Sequence, residues 1–204
     1  WGVGTSPEAM RRFWRMCAHL HGQVMNYSMI GKSLGVSHTT ARHYLDIMEQ
    51  TFMISRVEAY SGNFAKRIVR SPKVFINDSG ILHAFCNVRN YEDLLGNPVA
   101  GFSWEGFVIQ SIKRSISDCE LYYIKTTEKR EIDIVLKLNN TVLAIECKFS
   151  TAPKLSKGFY KLMQELKINQ GYVVSPVERS FPVQENIEVV PLIELLQKLQ
   201  KLSD

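Results

Sequence analysis

The residues whose types and spacing could do chemistry lie between Glu131 and Phe149: Asp133, Glu146 and Lys148. Two runs rich in β-branched residues flank Asn139-Asn140. Asparagine tolerates positive φ, so a two-residue hairpin turn is predicted there. The register follows. If Leu138 pairs with Thr141, Leu136 meets Leu143 and Ile134 meets Ile145, all on one face. On the other face Asp133 lies opposite Glu146, Lys148 points the same way as Glu146, and Glu131 is opposite Lys148. Opposed side chains have Cβ atoms about 4.5–5.5 Å apart, where like charges repel. Two facing carboxylates therefore call for a cation. Mg²⁺ is held by one or two carboxylates together with waters and phosphate oxygens. A lysine beside such an ion could stabilise a developing phosphate charge or help activate water. The same pattern also describes a half-exposed hairpin with solvated charges and a surface Lys–Glu pair.

Other elements must position these residues. Pro7 to His21 reads as a helix, with Met10, Phe13, Trp14 and Cys17 at helical spacing, Ser6 as cap and Pro7 in the first turn. A shorter helix opens at Asn26-Tyr27-Ser28 and ends at Gly35. Ser37 caps a third, with Ala41, Tyr44, Leu45 and Met48 on one stripe and His38, Thr39, Arg42 and His43 on the other side. This is a helix-turn-helix pattern, and the N-terminal residues of its second helix would enter a DNA major groove. Residues 53–60 and 67–70 read as two strands of a wing, basic at Lys66, Arg67, Arg70 and Lys73. His38, Thr39, Arg42, Lys66, Arg67 and Arg70 are thus the candidate nucleic-acid contacts. Against DNA contact, Asp46 and Glu49 stand further along the same helix. A solvated spacer is the plainer alternative. Gly31-Lys32-Ser33 is not a phosphate loop, because the required glycine five places earlier is Asn26. ATPase activity is therefore not expected of this segment. The histidines make no metal-ligand pattern.

Lys73–Asp78 reads as a short buried strand, with Asp78 capping a helix from Ile81 to Phe85. Residues 88–101 read as a linker, and the domain boundary is placed there: 1–98 for the helix-turn-helix domain with its bridge, 99–204 for the second domain. Ser103 is read as the cap of a helix through Arg114, which places Glu105 in a first turn, where the helix dipole favours a carboxylate. Further strands are read at 121–125, 171–175 and 187–190, with helices at 157–168 and 192–202. The fold class is mixed α/β: a winged helix-turn-helix followed by an α/β domain.

The chain has 204 residues, enough to bury a core without staples, and its 45% hydrophobic and 22% charged residues are ordinary for a globular protein. A net charge of +5 is a mild basic bias, compatible with nucleic acid. Four cysteines form no CxxC pair and read as reduced thiols in a cytoplasmic protein. No run approaches the ~18 apolar residues of a membrane span. The start Trp1-Gly-Val-Gly has neither a signal-peptide pattern nor an initiator methionine, and reads as a piece of a longer chain.

An acid followed by Glu-x-Lys on the next strand resembles the PD-(D/E)XK nuclease superfamily, with Asp133 as the acid and Glu146-Cys147-Lys148 as the tripeptide. The wider order of parts resembles the C-terminal region of a bacterial and archaeal family of AAA-type ATPases. The matching pieces are Leu34–Asp46, Ser71–Ile81, Trp104–Phe107, Glu131–Val135, Ile145–Lys148 and Gly171–Pro176. This resemblance implies a winged helix, a restriction-endonuclease-like domain and an upstream ATPase module in the same chain, through which alone ATP would act. It implies Glu105, Asp133 and Glu146 as acids that hold Mg²⁺, and Lys148 as the catalytic lysine. Relatives often carry a glycine in the loop before Asp133, where this chain has Thr127-Glu-Lys-Arg130. Two functions are expected: a metal-dependent nuclease acting on DNA, or a non-catalytic DNA-binding or protein-interaction module of the ATPase. The oligomeric state is left open.

Overall fold

A computed structural model describes residues 6–62 and 68–203. The chain divides into two compact units, each discontinuous in sequence: Trp1–Arg56 with Ser71–Gly106, and Val57–Arg70 with Phe107–Asp204. Among the described residues there are eight helices and eight strands, a mixed α/β protein. None of these helices is long and apolar enough to cross a membrane.

The first unit opens with three capped helices. Helix α1 (Pro7–His19) is capped by the Ser6 side chain, α2 (Tyr27–Leu34) by Asn26 and α3 (His38–Gln50) by Ser37, each accepting from a free first-turn N–H. Gly35 ends α2 at φ +70°, the left-handed conformation that glycine adopts without a Cβ penalty. Phe13, Cys17, Ile30, Ala41, Leu45 and Met48 make one core with Val74, Ile76 and Leu82. Strand β1 (Ile54–Ala59) begins in this unit and ends in the second. Strand β2 (Lys73–Ile76) is wholly buried, and α4 (Ser79–Phe85) follows under an Asp78 cap. His21 lies beyond the end of α1. Its Nδ1 accepts from the Ile76 N–H at 3.0 Å, so Nε2 carries the proton donated to the Phe102 carbonyl at 3.1 Å. Burial pushes its pKa down to about 4, and this neutral histidine holds the core together.

In the second unit the strands run in the order β1-β3-β4-β5-β6-β8-β7. Strands β3 (Cys119–Lys125), β4 (Glu131–Leu138) and β5 (Thr141–Cys147) form an antiparallel meander, and β1 joins β3 in parallel. Helix α7 (Lys157–Glu165) carries the chain from β5 to the parallel strand β6 (Gln170–Val174). Strand β8 (Ile187–Val190) is parallel to β6, and β7 (Phe181–Gln184) forms the antiparallel edge. Helix α8 (Leu192–Ser203) closes the chain. Ile124, Ile132, Val135, Ala144, Phe159, Leu162 and Val173 share one buried cluster, which fixes the sheet against α7.

Several expectations are corrected. The predicted wing is described only in part: residues 63–67 lie outside the described residues. Arg67 lies outside the described residues, Ile68 makes one bridge to Thr126, and the Val69 N–H donates to the Lys125 carbonyl. The partner of β1 in this unit is β3, because a distant strand offers the buried pairing that the local sequence does not. The linker contains a short helix, α5 (Tyr91–Leu95), and α6 (Ala100–Ser115) starts before Ser103. Ser103 is buried and hydrogen-bonds to His83 at 2.8 Å instead of capping. Glu105 therefore stands past the first turn. Strand β7 went unread because it is short and exposed throughout, with Pro182 suited to an edge.

Lys73, counted among the basic residues of the wing and as the first residue of a buried strand, is buried in β2, and its Nζ donates to Glu105 Oε1 at 2.8 Å. Both side chains are under a tenth exposed, so each depends on the other's charge. Lys73→Met is expected to destabilise by about 3–5 kcal/mol, by leaving Glu105 buried without its ammonium partner. Lys73→Met with Glu105→Leu is expected to recover most of that loss. Urea unfolding of the two variants checks this, and a double variant no more stable than the single one contradicts it.

Candidate functional site

The site rests on β4 and β5. Asn139 adopts φ +52° at their turn, and the register is the one read from sequence, from Leu138–Thr141 through Leu136–Leu143 to Ile134–Ile145. Beyond that pair the strands behave differently. On the β3 side Tyr122 pairs with Val135 and Ile124 with Ile132, so Asp133 and Ile134 together face Tyr123. This is a β-bulge, a device that re-aims a side chain. The Asp133 carboxylate reaches across and its Oδ2 accepts from the Cys147 N–H at 2.9 Å. The expectation that Asp133 lies opposite Glu146 thus becomes a side-chain bond to the next residue along β5.

The other side of β5 is held by regular pairing. Glu146 pairs with Val173 and Cys147 with Val174, and the Lys148 N–H continues the ladder to the Val174 carbonyl at 2.9 Å. The Glu-x-Lys tripeptide is therefore fixed in backbone while its side chains gather. Glu146 is 6% exposed. Its Oε1 accepts from Lys148 Nζ at 2.8 Å, and its Oε2 is buried with no hydrogen-bond partner. Burial first, and then the Asp133 charge, pushes the Glu146 pKa up to about 7; Lys148 pulls it back and Glu131 pushes it further. Burial works to lower the Lys148 pKa, but the Glu146 charge and hydrogen bond outweigh it and the net direction is up. The lysine stays an ammonium.

The charge of Glu131 reaches Glu146 and raises its pKa. Glu131 pairs with Lys125, its direct partner on β3, at 2.6 Å. Glu105, the third acid that the resemblance implies, lies in the first unit and is bound by Lys73. Among the described residues no three His, Cys, Asp or Glu side chains form a metal-binding group. The protein offers a pair of carboxylates, Asp133 and Glu146. This pair fits a hard ion that keeps most of its shell as water or phosphate oxygen, and the orphaned Oε2 of Glu146 is the free donor.

The loop before Asp133 is also accounted for. Arg130 packs against Gly158, donates to Glu165 at 2.9 Å through Nη1 and pairs with Glu128 at 3.3 Å. It ties the turn to α7. Of the nucleic-acid candidates, His38, Thr39 and Arg42 are exposed on α3 in the first unit, Arg70 is exposed in the second, and Lys66 and Arg67 lie outside the described residues. Sequence reasoning missed Lys125 and Arg56 as partners of acids. For Lys125 the signal was present, since strand register places it beside Glu131.

Residues 2–92 match a family model described as a domain of unknown function, DUF8612. Residues 100–195 match a second domain of unknown function, DUF4143, a domain that commonly occurs in AAA-ATPase-associated proteins. The uncharacterised proteins Mb2031c of Mycobacterium bovis and Rv2008c of Mycobacterium tuberculosis are each 33% identical over 195 residues, covering 96% of this chain and 44% of theirs. The chain thus spans less than half the length of these relatives. The crystal structure of protein VC1899 from Vibrio cholerae aligns with 98% of this chain and 56% of its own, at 15% identity and a TM-score of 0.33, a likeness that carries no argument.

The raised pKa of Glu146 has a sign that stability can read. Between the ordinary carboxylate value of 4.5 and about 7 the folded protein holds a proton that the unfolded chain releases. The contribution of this group to stability therefore falls as pH rises through that window. Glu146→Gln removes the titration. The difference in Tm, variant minus parent, is expected to be more positive at about pH 8 than at about pH 5. Paired thermal melts across this range check it, and a difference that stays constant or falls with pH contradicts it.

Proposed function

We propose that the second unit is a metal-dependent phosphodiesterase acting on DNA, with Asp133 and Glu146 holding Mg²⁺ and Lys148 serving the phosphate. The observation that carries this reading is the buried, unpartnered Oε2 of Glu146 in a site that also holds the Asp133 charge and the Lys148 ammonium. Among the described residues this oxygen has no hydrogen-bond partner, and a cation would compensate it. Bound Mg²⁺ would lower the pKa of a coordinated water and draw charge from a phosphate oxygen. The protein's own contributions follow from the geometry. Asp133 is oriented by the Cys147 N–H and Glu146 by Lys148. Lys148, with its raised pKa and an ammonium about one third exposed, is a donor to developing negative charge more than a base. Hydrolysis adds water across one P–O ester bond, and the leaving oxygen takes up a proton.

The match to a domain common in AAA-ATPase-associated proteins, and the greater length of the relatives, support an ATPase module elsewhere in the full-length protein. ATP would act only there. A second reading, a non-catalytic DNA-binding or protein-interaction module of that ATPase, is supported by one observation: among the described residues no three His, Cys, Asp or Glu side chains form a metal-binding group.

Asp133→Asn separates the readings. Asparagine keeps an acceptor for the Cys147 N–H while removing the charge, so the fold is expected to survive. In calorimetric titration with Mg²⁺ and Mn²⁺ the parent is expected to show saturable binding, and Asp133→Asn binding at least about tenfold weaker, a loss of about 1.4 kcal/mol. Cleavage of plasmid and linear DNA is expected to disappear with it. A parent that binds no metal even with DNA present, and leaves DNA intact, supports the non-catalytic module instead.

A further inference from the structure

Helix α3 of the first unit is the motif that the phosphodiesterase reading does not use. Its outer face presents His38, Thr39, Arg42 and His43, all exposed. The sequence sets two acids against DNA contact here, Asp46 and Glu49. Asp46 is one turn after Arg42, a spacing at which a carboxylate would capture that arginine.

The structure disposes of both acids through one residue, Arg56 at the start of β1. Its Nη1 donates to Asp46 at 2.9 Å, its Nε donates to Glu49 at 2.7 Å, and its backbone N–H donates to the other Glu49 oxygen at 3.2 Å. Nη2 bonds Glu49 as well. Tyr27 is the first residue of α2. The Tyr27 ring carries the Arg42 guanidinium over its face, 5.1 Å from the centroid. Arg42 is thus held by a ring, which takes none of its five N–H donors, and not by Asp46. With Asp46 and Glu49 satisfied, Glu8 is the only other acid in α1, α2 and α3, against exposed Arg11, Arg12, Arg15, Lys32 and Arg42. That charge fits a polyanion. A short helix reached through a tight glycine turn, led by an arginine with free donors, fits the major groove of a duplex more closely than a membrane or an acidic peptide.

We propose that α3 binds double-stranded DNA in the major groove, with Arg42 as its base-edge contact and His38 and Thr39 beside it. Arg56 is the positioning residue that keeps Arg42 available. This site is in the first unit, needs no metal, and does not rest on the phosphodiesterase reading.

The test is fluorescence anisotropy of a labelled mixed-sequence duplex of about 20 base pairs, in EDTA, between about 50 and 200 mM KCl. The parent is expected to bind with affinity that falls steeply with salt. Arg42→Ala, an exposed substitution, is expected to weaken binding about tenfold or more. Arg56→Met is expected to weaken it by freeing Asp46 and Glu49, and adding Asp46→Asn and Glu49→Gln is expected to recover part of the loss. Circular dichroism shows whether these variants keep their helices. EDTA removes divalent metal, so duplex binding here is read apart from the metal site. The proposal is overturned if Arg42→Ala binds duplex as the parent does, if single-stranded DNA is preferred, or if the protein binds phosphatidylserine vesicles and no duplex.

Discussion

A buried carboxylate with one oxygen unmatched is costly, and the middle of the second unit is organised around one. Glu146 sits on a strand whose far side is locked by β6, so its backbone cannot move away from the apolar surroundings. On its other side the pairing with β4 is regular as far as Ile134–Ile145, beyond which β4 bulges against β3 and the Asp133 carboxylate takes the Cys147 N–H. Two acids are thus brought close by regular structure on one side and its interruption on the other. Lys148 satisfies one oxygen of Glu146 and leaves Oε2 alone. Under the proposed function this is where a cation would sit, and desolvation would strengthen its attraction to the carboxylates.

Elsewhere the protein spends its basic residues on its acids. Lys73 serves Glu105, Lys125 serves Glu131, Arg130 serves Glu165, and Arg56 serves Asp46 and Glu49. Each of these pairs joins two elements, so the charges act as ties as well as solvation. The net charge of +5 is therefore a poor guide to a binding surface by itself. What counts is which cations are left facing water, and that depends on which acids have been taken.

Much of the fold was readable because it is written locally. The caps Ser6, Asn26, Ser37, Asp78 and Ser156 each accept from an N–H two or three residues on, a contact that only short-range sequence sets. The β4–β5 register was readable for the same reason: a two-residue turn leaves one pairing that keeps Ile134 and Ile145 together in the core. The Ser103 cap failed because a serine can equally be buried against a histidine from a distant helix. The pairing of β1 with β3, some sixty residues away, was not legible because strand pairing is not local.

The sequence alone determined the mixed α/β class, the capped helices α2 and α3 on either side of Gly35, and the placing of Asp133 and Glu146 on adjoining strands with Lys148 just past the second. These follow from propensity, capping and a period of two, all properties of neighbouring residues. The tertiary structure alone decided how each charge is used. It bulged β4 so that Asp133 bonds a backbone N–H, buried Lys73 against Glu105, gave Glu131 to Lys125, and freed Arg42 by turning Asp46 toward Arg56. Coulombic partners are chosen by distance and burial, and neither quantity exists until the chain has folded.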